Sequence, residues 1–269
     1  MSQALLSSDE IARYQRDGQL TPRWRLPADM VTQMQDSLNR LIAARPDLKP
    51  DFIPLPHTPW DDGASVSIAR EFFAYVTHPD LLSLVSQLIG PDIILWASAV
   101  FCKPAATGLE VPWHQDGQYW PIRPRATVTV WIALDDVNAD NGCMRVIPGS
   151  HRMGDFSHEV SDREDLVLNN VVNDPRLDLD TVIDVTLEPG QFSVHDVNIV
   201  HGSAPNRSGR RRAGYAIRYM PSTSHYDRSI DMGKVSELSA LDFARRPIWL
   251  LRGVDRCGRN DFQVGHTAW

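Results

Sequence analysis

A His-x-Asp triplet and a distant histidine are the residues of this sequence best suited to chemistry. His114, Asp116 and His201 supply two imidazole nitrogens and one carboxylate oxygen. That donor set holds one face of an octahedral non-haem Fe(II) and leaves the opposite face open to further ligands. The triplet alone is a weak signal, since the sequence contains it three times: His78-Pro79-Asp80, His114-Gln115-Asp116 and His225-Tyr226-Asp227. Context separates them. In the first, Thr77 and Pro79 precede Leu81, Leu82, Leu84, Val85, Leu88 and Ile89, the pattern of a helix capped by Thr77. The third follows Pro221-Ser222-Thr223-Ser224 in a loop, with no second histidine placed to complete a site.

The middle copy lies between Pro112-Trp113 and Gly117, just ahead of an apolar, β-branched run over residues 127–134 that reads as a buried strand. On extended backbone, side chains two apart point the same way, so His114 and Asp116 reach a common ion. The distal ligand has two candidates, His195 and His201, in what reads as one extended segment over residues 190–202. Gly202-Ser203 ends that segment directly after His201, and strand ends are where sites are built. At ~3.3 Å per residue His195 would then lie roughly 20 Å deeper, as a hydrogen-bonded interior residue.

The elements that must position these residues read as mainly β with helical additions. Ser7 and Glu10 are spaced as a capping box for a first helix, and residues 29–44 carry Met30, Met34, Leu38, Leu41 and Ile42 at helical spacing. Both helices are expected outside the core sheet. The Pro- and Asp-rich stretch 46–64 reads as a long loop, followed by the helix after Thr77. Short apolar runs over residues 93–102, 127–134, 143–147, 181–187, 191–200 and 213–220, split by Gly, Pro, Asn and Asp, predict strands of a sandwich or barrel. Asp140-Asn141-Gly142 and Pro148-Gly149-Ser150-His151 mark turns. With 269 residues and 42% hydrophobic content the chain is expected to form one domain over 1–269, its β core at about 92–220.

A net charge of −7 weighs against nucleic acid or an anionic membrane as partner. The local exception is Arg207, Arg210, Arg211 and Arg212. Three widely spaced cysteines, Cys102, Cys143 and Cys257, fit reduced thiols better than a disulfide framework. The N-terminus lacks a secretory pattern and no apolar run is long enough to span a bilayer; a soluble cytoplasmic protein is expected. Nothing in the sequence speaks to oligomeric state.

Several motifs in order then resemble one family: Trp113-His-Gln-Asp116, Tyr119-Trp120-Pro121, Trp131, the segment Asn141-Gly-Cys-Met-Arg-Val-Ile-Pro-Gly-Ser-His151, His201-Gly-Ser203 and Arg212. Together they resemble the phytanoyl-CoA dioxygenase family of Fe(II)- and 2-oxoglutarate-dependent oxygenases. The likeness runs from about Ala99 to Met220, with a looser one at Tyr14-Gln-Arg-Asp-Gly18. It implies a double-stranded β-helix, a jelly-roll or cupin-like barrel flanked by N-terminal helices, with the metal at its mouth. His114, Asp116 and His201 become the ligands of Fe(II). Arg212 becomes the partner of the far carboxylate of 2-oxoglutarate, assisted by Ser203, with Trp131 and Lys103 beside the cosubstrate. Apart from the resemblance, Tyr119 and Trp120 read as part of a substrate wall or as packing of the barrel lip. The implied activity is hydroxylation of an unactivated C–H bond with O2, releasing succinate and CO2. Halogenating relatives have a small residue in place of the carboxylate; Asp116 is present here, so hydroxylation is favoured over halogenation, with desaturation, epoxidation or ring closure left open.

Elementary chemistry supports these roles. The planar guanidinium fork matches a carboxylate through two parallel hydrogen bonds. Strand alternation puts Arg212 with Gly214 and Ala216 on one face, and Tyr215, Ile217 and Tyr219 on the other. Arg218 shares the face of Arg212, where it is a rival anion binder or meets an acid group of the substrate. A cupin-like isomerase or metal-binding barrel could use the same triad without needing Arg212, and a zinc hydrolase could use two His and an Asp around a water. For the substrate, Trp24, Trp60, Asp61 and Asp62 favour a cationic group; Arg23, Arg25, Arg123, Arg125 and Arg218 favour a carboxylate or phosphonate.

Overall fold

Helix α1 (Ser8–Asp17) begins at its capping box: the Glu10 amide donates to Ser7 Oγ, and the Ser7 amide donates to the Glu10 carboxylate. Helices α2 (Ala28–Ala44), α3 (Ala64–Val76) and α4 (Pro79–Ile89) follow. In this computed structural model residues 4–61, 63–230 and 242–266 are described, so Asp62, one of the candidate substrate contacts, lies outside the described residues.

Two sequence expectations about the helices need correcting. Helix α3 was not foreseen, although Ile68, Phe72, Tyr75 and Val76 give it a buried stripe. It starts at Gly63 with no side-chain cap, so the usual start signal is missing. Thr77 does not cap α4; its hydroxyl donates back to Phe73 O and closes α3, while His78 takes the N-cap position ahead of Pro79.

The strands, in chain order, are β1 (Gln19–Leu20), β2 (Ile53–Pro54), β3 (Ile93–Lys103), β4 (Val111–His114), β5 (Ile122–Arg123), β6 (Val128–Ala133), β7 (Met144–Val146), β8 (His158–Val160), β9 (Asn170–Val172), β10 (Ile183–Val185), β11 (Phe192–Asp196), β12 (His201–Ser203), β13 (Arg212–Pro221), β14 (His225–Tyr226) and β15 (Trp249–Arg252). A major sheet runs β1-β11-β6-β13-β3-β15, with β2 added to β3, and a minor sheet runs β10-β7-β12-β4. Both are antiparallel, a jelly-roll arrangement. The expected barrel is not closed: no hydrogen-bonded ladder joins the two sheets among the described residues.

Strand β13 lies at the centre of the major sheet and shows why the site forms where it does. Tyr215, Ile217 and Tyr219 face the helices, packing with Leu38, Leu41, Phe72 and Leu84. Ala216 faces the minor sheet with Trp131, Met144 and Val146. Alternation thus gives one face to the apolar core and the other to a cleft between the sheets.

The segment 190–202 is not one strand. Strand β11 ends at Asp196, whose Oδ1 accepts the Asn198 amide at 2.8 Å, an Asx turn. The chain then crosses to the minor sheet and resumes as β12. His195 and His201 therefore belong to different sheets, which overturns the 20 Å separation.

Candidate metal centre

His114 and His201 sit directly across the β4–β12 ladder from each other, their ring centroids 4.1 Å apart. Asp116 follows where the extended chain at Gln115 turns into a short 3-10 turn, and its Oδ1 lies 3.5 Å from His114 Nε2. One ligand atom from each of His114, Asp116 and His201 falls within 4.8 Å of the others, and all three side chains are buried.

Hydrogen bonds fix which imidazole nitrogen is free. His114 Nδ1–H donates to Pro112 O at 2.8 Å, and His201 Nδ1–H donates to Ile199 O at 3.1 Å. A carbonyl can only accept, so each Nδ1 carries the proton and each Nε2 keeps its lone pair for the cluster. Burial, then the neighbouring His114, holds the His201 imidazolium pKa well below its usual range, so the ring is neutral. Burial alone would raise the Asp116 pKa, but the facing imidazoles of His114 and His195 and the nearby Arg218 charge pull it well below the usual carboxylate range. A neutral His201 ring and an ionised Asp116 are the protonation states in which these groups ligate a divalent ion.

The polypeptide around the cluster is tied down by Gln115, whose side-chain amide donates to Asn198 O and Gly154 O and accepts from the Phe156 amide. Gly117 N donates to Val197 O, and a Cβ at Gly117 would come within 3.0 Å of Asn198 Oδ1, so a larger residue would press on the side chains of that turn. On the other strand, Ser150 Oγ accepts the Val200 amide next to His201.

His195, placed deep in the interior by its sequence position, instead borders the cluster. Its Nε2 is 3.8 Å from Asp116 Oδ2 and its ring centroid 4.9 Å from that of His201. Its Nδ1 has no hydrogen-bond partner among the described residues, contrary to the expected bonded interior residue. The Asp196-Val197-Asn198 turn signal would have revealed the break that brings it here.

Arg212 is buried between the sheets. Its guanidinium donates to Gly142 O at 3.0 Å and stacks 5.2 Å from the Trp131 ring centroid. It forms no ion pair among the described residues, and burial pulls its pKa down to about 10. A charged fork held by backbone carbonyls and an indole face still lacks a counter-anion. Trp131 reaches this place because Gly214 has no side chain; a Cβ there would lie 2.0 Å from the indole. Ser203 and Trp131 both line the cleft. Lys103 does not. Its Nζ donates to Ser203 O and Ala204 O from behind, and burial, reinforced by the Arg212 charge, brings its pKa down to about 6.

The cleft beside the cluster encloses about 930 Å³, part of it open to solvent. Tyr119, Trp120 and Arg218 line it as well. Tyr119 Oη donates to Asn170 O, and the Arg218 guanidinium lies over Trp120 and Phe101 at 5.2 and 5.8 Å. The cleft also contains Arg246, which sequence reasoning missed. It comes from outside the expected β core, and nothing in Arg245-Arg246-Pro247 marks it as a cleft residue.

Arg23, Arg25, Trp24, Trp60 and Asp61 do not line the cleft. Arg25 pairs instead with Glu188, and Arg45 stacks on Trp60. Arg123 donates to Trp120 O and Ile122 O, and Arg125 pairs with Asp155. The three cysteines are free thiols. No helix among the described residues is long and apolar enough to cross a membrane.

A jelly roll with a buried His/Asp/His cluster beside an unpaired arginine defines a class of non-haem metal proteins. The profile "Phytanoyl-CoA dioxygenase (PhyH)" matches residues 14–214, and the chain belongs to that family. Among curated relatives, the peroxisomal phytanoyl-CoA dioxygenase of Bos taurus is 28% identical over 205 residues, covering 68% of this chain and 59% of that protein. The L-proline trans-4-hydroxylase of Streptomyces griseoviridis is 30% identical over 162 residues, 54% of this chain and 60% of that one. The chain spans 59% and 48% of the first two curated relatives' own lengths. Among solved structures, the apo form of the non-heme monooxygenase ThoJ superposes with a TM-score of 0.71 at 26% identity, covering 92% of this chain and 85% of that one. The epimerase SnoN, solved with Fe3+, alpha ketoglutarate and nogalamycin RO, gives 0.66 at 22% identity over 91% of this chain and 98% of that one, a likeness of fold.

Proposed function

We propose that this protein is an Fe(II)- and 2-oxoglutarate-dependent dioxygenase that hydroxylates a C–H bond of a small molecule. His114 Nε2, His201 Nε2 and an Asp116 oxygen would hold the iron. Arg212 would take the far carboxylate of 2-oxoglutarate through its two-pronged fork, with Ser203 and Trp131 beside it. Lys103 would act at one remove, fixing the backbone that carries Ser203. Tyr119, Trp120 and Arg218 would face the substrate. The family match and the curated hydroxylase relative support the reaction class. The observation that carries the reading is the pairing of two features in one cleft: a three-residue cluster of metal-ligand atoms, and a buried guanidinium without a counter-anion among the described residues.

Bound Fe(II) and 2-oxoglutarate would supply the oxidising power, one oxygen atom of O2 ending in succinate as CO2 leaves and the other entering the substrate's C–H bond as a hydroxyl. The residues of the chain supply the rest. Carbonyls of Pro112 and Ile199 orient the two imidazoles; Trp120, Trp131 and Tyr119 wall the cleft against bulk water. Anaerobic addition of Fe(II) and 2-oxoglutarate should give the visible charge-transfer band of a chelated keto acid. His114→Ala and Arg212→Ala should each weaken it. A fully metallated protein with no such band would refute the cosubstrate assignment, and activity with zinc in the absence of O2 would favour a hydrolase.

A further inference from the structure

We infer that the substrate carries an anionic head group, a carboxylate or a phosphorus oxyanion, held between Arg218 and Arg246, with its uncharged body against the surrounding rings. This deepens the oxygenase reading and rests on it. Arg246 is 4% exposed, Arg218 projects from the cleft face of β13, and both line the same cleft as the metal cluster. Each guanidinium is held by aromatic faces. Arg218 lies 5.2 Å from the Trp120 centroid, Arg246 lies 5.6 Å from Trp96 and 4.4 Å from Phe243, and the two indoles contact each other edge to face at 4.5 Å.

A ring face holds a guanidinium in place but leaves its in-plane N–H donors unused. The Nε atoms of Arg218 and Arg246 are both buried without a hydrogen-bond partner, and neither residue forms an ion pair among the described residues. Leaving such groups unpaired is costly away from water. Arg212 already serves the cosubstrate end and is anchored by Gly142 O, so it is not the group in want of a ligand here. With an Fe(II) ion, Asp116, three arginines and a doubly charged 2-oxoglutarate in place, the cleft retains a net positive charge. An anion answers that charge and the unused donors together; a cationic substrate would meet repulsion from both arginines. The acidic cluster needed for a cation is absent, since Asp116 is the one carboxylate lining the cleft among the described residues.

The test uses the full chain loaded anaerobically with Fe(II) and 2-oxoglutarate, so that Arg212 is already occupied. Phenylacetate, benzylphosphonate, phenylacetamide and benzylamine are titrated by calorimetry. The expected result is at least tenfold tighter binding of one of the two anions than of the amide, and weaker binding still of the amine; which anion wins identifies the head group. Arg246→Gln and Arg218→Gln should each cost the anion tenfold or more while leaving the amide unchanged, and Arg246→Lys should recover part of the loss. Amide or amine bound as tightly as either anion, no anion bound at millimolar concentration, or an anion preference that survives both Gln variants would overturn the inference. The charge-transfer band is read in every sample. Its absence in the wild type counts against the cosubstrate reading alone, and its persistence in a variant shows that the fold and metal site are intact.

Discussion

The two sheets of the jelly roll are built on different terms. In the major sheet, β3 spans Ile93–Lys103 and β13 spans Arg212–Pro221, and almost every side chain on them is buried. In the minor sheet, β7, β10 and β12 have three residues each and β4 four; Ile183 and Asp184 of β10 are exposed. Long ladders packed under helices make a framework whose stability comes from apolar burial. Short ladders cannot hold side chains to that standard by pairing alone, yet the minor sheet carries both His114 and His201. Their positions are set by local ties instead: ring nitrogens bonded to carbonyls, the Gln115 amide, the Ser150 hydroxyl. Stability and chemistry should therefore respond to different substitutions.

The largest effect is expected in the minor sheet. His201→Ala removes one of the three proposed ligands, which should cost several kcal/mol of transition-state stabilisation, roughly three decades in rate. Succinate formation should fall accordingly while far-UV circular dichroism stays native. In the major sheet's helical cover the outcome reverses. Leu38→Ala, at a fully buried position, should lose about 2–5 kcal/mol in denaturant titration, with the iron–keto acid band per folded molecule unchanged. A Leu38→Ala protein that stays folded but loses the band would break the division between the two regions.

Gly214→Ala tests the surface where the two sheets meet. Its methyl would run into Trp131, so overpacking should cost about 1–3 kcal/mol, and displacement of the indole should raise the 2-oxoglutarate KM. A pH-dependent effect concerns Lys103. Burial and Arg212 lower its folded pKa to about 6 from the ordinary 10.5. Between those values the unfolded chain holds a proton that the folded one has shed, so this group makes stability rise with pH across the window. Below about pH 6 both states are protonated and its penalty is greatest. Lys103→Met should flatten this slope in thermal midpoints recorded from pH 6 to 10, with its largest stabilisation at the acid end.

Sequence patterning anticipated much of this because the signals were local. The capping box at Ser7, the alternation along β13 and the Asn141-Gly142 turn were legible, as was the meeting of His114, Asp116 and His201. The errors came where one period was carried across a break or where a contact depends on distant chain. Extending the strand alternation through Asp196-Val197-Asn198 put His195 far from the residues it borders. Helix α3 has an apolar stripe but no polar cap. Arg246 enters the cleft from beyond the jelly-roll core, and no short-range pattern encodes such an approach.

The middle letter of the His-x-Asp triplet is not a spacer. Gln115 spans the gap to Asn198, Gly154 and Phe156, so the loop bearing Asp116 and the crossover leading to His201 are stapled by a single amide. Anyone grafting this centre onto another jelly roll would have to transplant that staple and its two receiving loops. Copying the trio of coordinating side chains alone would yield a scaffold with the right donors and nothing to keep them converged.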